Sequence, residues 1–501
     1  MSRDRSVVNG PDGLPLRTRV AHSVFWLTWS RGLVQLLSFA TTVLVARKLD
    51  PGDYGIMALA GVFIATSGML AEMGLGTAIV QFRDLERAEL NTCFWITMIL
   101  SIIACGILAL GAPVIAHWFA VPRLADVLPY LALALPLTAC STVSDSLLRK
   151  QLALNRVSQA EIIRGLVTLP VMLYCAYTGF GVWTLVIGFL MGEIVRSVAI
   201  FSFAPWRPGL RIGGARAMEM LHFSLKTIGI TILWALQEQA DVLVIGYFTG
   251  QTAVGLYSMA KTWAMLPTAK ISSVAYMLSS PMMAELQADI AAMRRALFRA
   301  VRLTSAIALP ASAGMALVAE PMVEVLLGDT WLPAVGLLQW LCLYAAARAI
   351  EVLLPPVLVA RRRQRFLIRY YLTLLLGVSA GAALGAWWYG ATGAVVIFTP
   401  VYCALMIIMT REVLAELQGS FSDLWSETWP IPTATAAMAA AVFLLQNVIF
   451  EGRTEPPLVE LILLSVTGVI TYFGALFALG KTVVGEVIEV LSWIFPPVKR
   501  L

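Results

Sequence analysis

The chain has 501 residues, of which 59% are hydrophobic and only 13% charged, with a mean hydropathy of +0.81. Soluble proteins carry about 25% charged residues, so this composition excludes an ordinary soluble domain and demands segments that lie in a bilayer. The formal net charge of +6 is accounted for by membrane topology, as shown below, and implies no nucleic-acid partner.

Residues 1–19 are polar and basic and read as a cytoplasmic tail. The apolar run that follows, 20–46, is too long for a signal-peptide core and lacks a small-residue cleavage site, so it is expected to be a retained span. With about 20 apolar residues needed per spanning helix, the sequence predicts fourteen spans: 20–46, 54–80, 92–118, 125–147, 159–178, 181–203, 220–247, 253–280, 303–319, 334–358, 368–389, 392–410, 430–449 and 458–479. No alternating barrel pattern occurs, and backbone groups in lipid must bond internally, so the expected fold is an all-α integral membrane protein. Ala284–Arg302, Val413–Trp429 and the tail Lys481–Leu501 read as amphipathic helices on the cytoplasmic face.

Basic residues test the topology. With the N-terminus in the cytoplasm, the far side receives only Arg47, Lys48, Arg123 and Arg453. Arg31, Arg196, Lys226, Lys261, Lys270 and Arg348 fall inside spans, and all the other Lys and Arg of the 36 lie on the cytoplasmic side. Such asymmetry supports an even number of spans with both termini inside. The six cysteines all lie in apolar stretches without a CxxC spacing, so neither a disulfide framework nor a zinc site is indicated. No metal or other cofactor is expected. His22, His117 and His222 sit near span ends and read as interfacial.

Sliding the chain so that Gly55 falls on Gly255 also lays Ala60 on Ala260, Ala40 on Ala240 and His22 on His222. This register maps spans 1–6 onto spans 7–12. Six is even, so the two halves would share one orientation, related by a pseudo-two-fold axis along the membrane normal. The expected organisation is an N-lobe over 20–215, a C-lobe over 216–415, two extra helices within 416–480 and an amphipathic tail over 481–501.

Several segments in order carry a resemblance: ARKLDPGDYGIMALA from Ala46, AEMGLGTAIVQ from Ala71, GFGVWTLVIG from Gly179, QADVLVIGYFTGQTAVGLYSMA from Gln239, LPTAKISSVAYMLSSPMMAELQ from Leu266 and LLGDTWLPAVGLLQWLCLYA from Leu326. In these the chain resembles the polysaccharide (O-unit) flippases of the superfamily that also holds multidrug exporters and the lipid II flippase. Thr249 and Glu72 depart from the residues usual there, Leu and Asp. The resemblance implies two six-helix lobes around a central cationic cleft that opens alternately to each side of a bacterial inner membrane. It also implies an oligosaccharide repeat unit on undecaprenyl diphosphate as substrate, destined for lipopolysaccharide or exopolysaccharide, with polysaccharide polymerase and export proteins as partners.

A diphosphate-linked sugar needs cations for its phosphates, and Lys and Arg supply them as point charge and fork respectively. Charges at bilayer depth are costly and mark polar passages, so Arg31, Lys226, Lys261 and Arg348 are the expected substrate-binding residues. Glu72 and Glu238 are the expected carboxylates for a coupling proton or sodium ion. Glu193 and Arg196, three apart on one helix, are expected to form a structural ion pair, and Arg348 and Glu351 share the same spacing. Asp241 reads as an interface or structural charge. Trp26 and Trp234, deep in their spans, are placed to stack on a sugar or to face lipid.

Two other functions compete with the flippase. An ion-coupled small-molecule or multidrug exporter of the same fold would favour acids in its cleft, and a lipid II flippase would carry a related substrate. A membrane enzyme such as a glycan polymerase would need a long external catalytic loop, and none is present; no GxxxxGK[ST] nucleotide loop is present either. No catalytic residues are expected.

Overall fold

A computed structural model describes residues 32–82, 85–213, 217–449, 456–481 and 483–486. Within these, every regular element is helical. In chain order they are α1 (Gly32–Ala46), α2 (Pro51–Glu72), α3 (Leu75–Gln81), α4 (Arg87–Trp118), α5 (Pro122–Ala132), α6 (Ala134–Lys150), α7 (Leu154–Tyr177), α8 (Val182–Phe203) and α9 (Ala217–Glu285). Then follow α10 (Ile290–Leu317), α11 (Ala319–Leu326), α12 (Val335–Glu351), α13 (Pro355–Ala360), α14 (Gln364–Glu416), α15 (Phe421–Thr428), α16 (Pro430–Ile449) and α17 (Pro457–Leu479). Eleven helical stretches are long and apolar enough to cross a membrane.

Local sequence explains where these helices begin and break. Asp50 accepts a hydrogen bond from the Gly52 N–H at 3.1 Å, and Pro51 fills the first helical position, where a missing N–H costs nothing. Two long helices are interrupted inside. Gly250 breaks α9 at φ 78°, and Tyr389 with Gly390, at φ 64°, breaks α14. Both interruptions fall where the sequence predicts a turn between spans, and the positive φ explains the glycines. Other predicted spans are discontinuous. The span expected over 54–80 divides into α2 and α3 at Met73 and Gly74, and that over 334–358 divides into α12 and α13 at Val352–Leu354.

The segment Ala284–Arg302, expected as a separate surface helix, instead supplies the first turns of α10. Asp289 caps that helix by accepting from the Ala292 N–H at 2.9 Å, so the chain enters the span without a break. Of the second expected surface helix, Val413–Trp429, residues 413–416 end α14 with Val413 and Leu414 buried, and the remainder holds a separate helix, α15. It buries none of its residues, and Ser420 and Asp423 close a capping box at its start. Those hydrogen bonds from Ser420 hold the Asp423 carboxyl below its ordinary pKa. Most of the tail Lys481–Leu501 lies outside the described residues.

The chain forms two compact units. The first comprises residues 1–49, 63–116 and 122–232, and the second comprises 50–62, 117–121 and 233–501. In the first, Leu75, Ile79, Leu90, Phe94, Val143 and Trp206 form one buried cluster joining α3, α4 and α6. In the second, α16 and α17 pack onto α10 through Ala306, Ile431, Ala434, Met438, Tyr472 and Leu476, and the Tyr472 hydroxyl donates to the Ala306 carbonyl at 2.6 Å. Outward faces stay apolar. α4 exposes Ile103, Ile107, Leu110 and Val114, and α17 exposes Ile462, Val466, Ile470 and Phe473. Belts of this kind are stable only against lipid.

Within the second unit the start of α2 crosses α9 just beyond its break, at backbone contact. A Cβ on Gly55 would lie 1.7 Å from the Gln251 carbonyl oxygen, and a Cβ on Gly255 would lie 1.7 Å from the Pro51 carbonyl oxygen. The register that lays Gly55 on Gly255 also lays Pro51 on Gln251, and these four residues meet in a locally two-fold arrangement. Beside this crossing, Tyr54 packs edge-on against the buried Trp331, with ring centroids 5.3 Å apart. Gly55→Ala should therefore destabilise the protein by about 2 kcal/mol or more through overpacking. Gly61→Ala, whose Cβ meets nothing within 4 Å, should leave stability unchanged, as thermal unfolding in detergent would measure.

Candidate functional site

The Gly250 break turns α9 back on itself, and this hairpin builds the most polar interior of the second unit. Lys261, on the returning arm, donates from Nζ to the Asp241 carboxylate and, at 3.1 Å, to the Glu238 backbone carbonyl. The Tyr257 hydroxyl also donates to Asp241, whose other oxygen accepts from the Val242 N–H at 2.8 Å. Asp241 is 4% exposed. Its charge is thus balanced by one cation and held by two further donors, which is what a buried carboxylate requires.

A second pair stands beside the first. Arg348 of α12 pairs with the Glu238 carboxylate and donates to the Tyr344 hydroxyl at 3.2 Å. Tyr344 is within electrostatic reach of Glu238, Asp241, Lys261 and Arg348, so the two ion pairs share one aromatic partner. Its ring lies 4.6 Å from that of Tyr402 and 5.6 Å from that of Phe398, both on α14. Phe398 in turn meets Tyr257 edge-on, with centroids 6.5 Å apart. Three helices therefore contribute an aromatic frame around two salt bridges, and edge-on contacts of this kind fix the rings' orientation.

Lys261, Arg348 and Glu238, each singled out in the sequence, come together here. Asp241, read from the sequence as an interface or structural charge, is the partner of Lys261. In the two pairs described each cation has its own carboxylate. Arg31 and Trp26 lie outside the described residues, as do the side chains of Lys226, Trp234 and Lys270.

The first unit holds its own network, and the expected Glu193–Arg196 pair is not part of it. Arg196 instead bridges Glu161 of α7 at 2.7 Å and Asp145 of α6 at 3.3 Å. Glu193 pairs with Arg164 of α7 at 3.2 Å and accepts weakly from the Thr138 hydroxyl at 3.4 Å. Both residues sit on one face of α8, and neighbouring helices offer partners that the helix itself could not rank. Arg164, assigned from sequence to the cytoplasmic side, lies within α7 and serves this network. Asp145 and Glu161 were not singled out; the Glu161–Arg164 spacing of three was the available signal. Glu72 ends α2 against Gly76, where a Cβ would lie 2.5 Å from its Oε1. Among the described residues no cluster of His, Cys, Asp and Glu could hold a metal ion.

A family model described as a polysaccharide biosynthesis protein matches residues 44–336. The chain belongs to that family. The matched stretch includes Glu238, Asp241, Tyr257 and Lys261, whereas Arg348 lies just beyond it. The chain is similar to the lipopolysaccharide biosynthesis protein WzxC of Escherichia coli (strain K12), at 22% identity over 439 residues, covering 86% of this chain and 89% of that protein. It is also similar to the succinoglycan biosynthesis transport protein ExoT of Rhizobium meliloti (strain 1021), at 25% identity over 323 residues, covering 64% and 65%. Among solved structures, the lipid II flippase MurJ in an inward closed conformation matches with a TM-score of 0.71 at 14% identity, over 90% of this chain and 97% of that one. An inward-facing multidrug resistance MATE family transporter of the MOP superfamily matches with a TM-score of 0.62 at 18% identity, over 77% and 96%. At such identities the likeness establishes the fold alone: a multi-pass, all-α architecture.

The paired charges make a stability test possible. Lys261→Met removes the cation and leaves Asp241 buried and bare, which should cost about 3–5 kcal/mol. Adding Asp241→Asn should restore most of that loss. A double-mutant cycle on unfolding in detergent measures the coupling; additive losses would show that the two side chains do not form a pair.

Proposed function

We propose that this protein moves oligosaccharide repeat units, carried on undecaprenyl diphosphate, across a bacterial inner membrane for surface polysaccharide synthesis. Membership in the polysaccharide biosynthesis family supports the reading, as do relatives named for lipopolysaccharide and succinoglycan biosynthesis and a lipid II flippase among its fold neighbours. The observation that carries it is the pair of cations, Lys261 and Arg348, inside apolar spans and each held by an exchangeable carboxylate. An empty carrier cannot leave buried cations bare, and Asp241 and Glu238 neutralise them at rest. A diphosphate offers the same chemistry as those carboxylates and can replace them on the cations, with the fork of Arg348 matched to phosphate oxygens.

Arg31 and Lys226 complete the proposed cationic path, and Tyr257 and Tyr344 supply hydroxyls and ring faces for sugar. Counting α1 and both arms of α9 and α14 as crossings yields fourteen, with both termini cytoplasmic and two six-helix lobes working by alternating access. The protein is a transporter in this reading, with no catalytic group and with polymerase and export proteins downstream. A proton or sodium gradient is the proposed energy source, with Glu72 and Glu238 as candidate exchangers. One observation favours a second reading: adding Glu351 to the cluster makes three acids against two cations, a balance suited to export of a small organic cation.

Deletion in the native host separates the two. Complete lipid-linked repeat units should accumulate on the cytoplasmic leaflet; unchanged glycans with altered drug sensitivity would overturn the flippase. Arg31→Ala and Lys226→Ala should each weaken export about ten- to hundredfold at normal protein level, since a hydrogen bond to a charged group contributes about 1.5–3 kcal/mol. Normal export from both would remove the cationic path.

A further inference from the structure

Glu351 is the one acid of this cluster that the two salt bridges leave over. It is the last residue of α12, where the helix breaks before Pro355, inside the continuous apolar stretch Asp329–Ala360. It is 7% exposed. Among the described residues its Oε1 has no hydrogen-bond partner, and its Oε2 accepts from the Tyr402 hydroxyl at 3.5 Å. Arg348, one turn earlier on the same face, is committed to Glu238 and Tyr344. The groups that act on Glu351 electrostatically are Arg348 and, from the helices packed around it, Glu238 of α9 and Tyr402 of α14. Tyr370 and Tyr371 of α14 also lie within its electrostatic reach, and among the described residues the Tyr370 hydroxyl has no partner either.

An ionised carboxylate in this position meets three separate penalties. Among the described residues it has no cation of its own, it leaves an oxygen unsatisfied, and it sits at a helix C-terminus, where the backbone carbonyls disfavour negative charge. Among the described residues no cluster of His, Cys, Asp and Glu that could hold a metal ion includes Glu351, whereas a proton needs only one oxygen.

We propose that Glu351 is a proton-binding site, occupied when Arg348 is paired with Glu238 and emptied when Arg348 swings to it. The chemistry is a single O–H bond formed on the carboxylate with a proton drawn from bulk water, and broken again on release. With the proton on, Glu238, Asp241, Lys261, Arg348 and Glu351 sum to zero. With the proton off, Glu351 competes with Glu238 for Arg348 across the i, i+3 spacing of α12, and the tie between α9 and α12 is loosened. Proton occupancy thereby selects which carboxylate holds the arginine. The site stands on this geometry alone; its use in driving transport rests on the flippase reading.

Infrared spectroscopy of the purified full-length protein across a pH series tests it. The wild type should show a protonated-carboxyl carbonyl band that disappears as pH rises, and Glu351→Gln should lose that band. A band undiminished in Glu351→Gln, absent from the wild type, or lost instead in Glu72→Gln overturns the assignment. If Glu351→Gln fails to fold, Tyr402→Phe must displace the band's midpoint, and an unmoved midpoint overturns the assignment equally. Glycan export is read separately. Glu351→Gln should abolish gradient-dependent export, whereas a wild type that exports no lipid-linked glycan would sink the flippase and leave the proton site standing.

Discussion

Buried charge governs this structure. A chain in lipid has no water to solvate an ion, so each charged group inside a span must find an opposite partner or surrender its charge. The Lys261–Asp241 pair shows how much architecture that demands. The two residues sit on opposite arms of α9, and only the reversal at Gly250 brings them together. Tyr257 and the Val242 N–H then complete the carboxylate's shell. Arg348 and Glu238 join α12 to the same arm, so one electrostatic requirement ties three passes of chain into a unit.

The first unit meets the same requirement with a different solution. Arg196 spans Glu161 and Asp145 while Glu193 takes Arg164, so the helices α6, α7 and α8 are laced by charges from all three. Serine and threonine hydroxyls fill the gaps, as where the Ser197 hydroxyl donates to the Leu137 carbonyl at 2.9 Å. With Arg149 on Asp145 at 3.1 Å, that network sets three arginines against three acids. In the second unit the polar cluster lies next to a helix break and an aromatic frame, and with Glu351 it carries one acid in excess among the described residues. A balanced network is a fastening, whereas an unbalanced one has a group free to change state. The second unit is accordingly the better candidate for moving parts.

Broken helices are the other device. The breaks at Met73–Gly74 and Val352–Leu354, inside predicted spans, leave backbone groups that a continuous helix would satisfy, which lipid penalises unless protein covers them; those at Gly250 and Tyr389–Gly390 fall at predicted turns between spans. Two of these breaks were legible because glycine sits between apolar runs with polar neighbours. The division of α12 from α13 was not, since Leu353, Leu354 and the prolines that follow read as one apolar run. Residues beside such breaks, Glu351 among them, gain positions that periodicity cannot foresee.

Composition and spacing alone determined that the chain is an all-α membrane protein and that Lys261, Arg348 and Glu238 lie within apolar spans, and one register of the chain on itself laid Gly55 on Gly255. Those inferences follow from transfer energies and helix length, which are local and additive along the chain. Which acid holds which base was decided only by tertiary structure. Glu193 and Arg196 share a helix face, as do Arg348 and Glu351, yet in both cases a neighbouring helix supplies the partner. Pairing energy depends steeply on distance and desolvation between segments far apart in sequence, and helical spacing carries no record of either. The sequence placed the charges in the membrane; the packing of α9, α12 and α14 set Lys261 on Asp241 and, among the described residues, left Glu351 with no cation of its own.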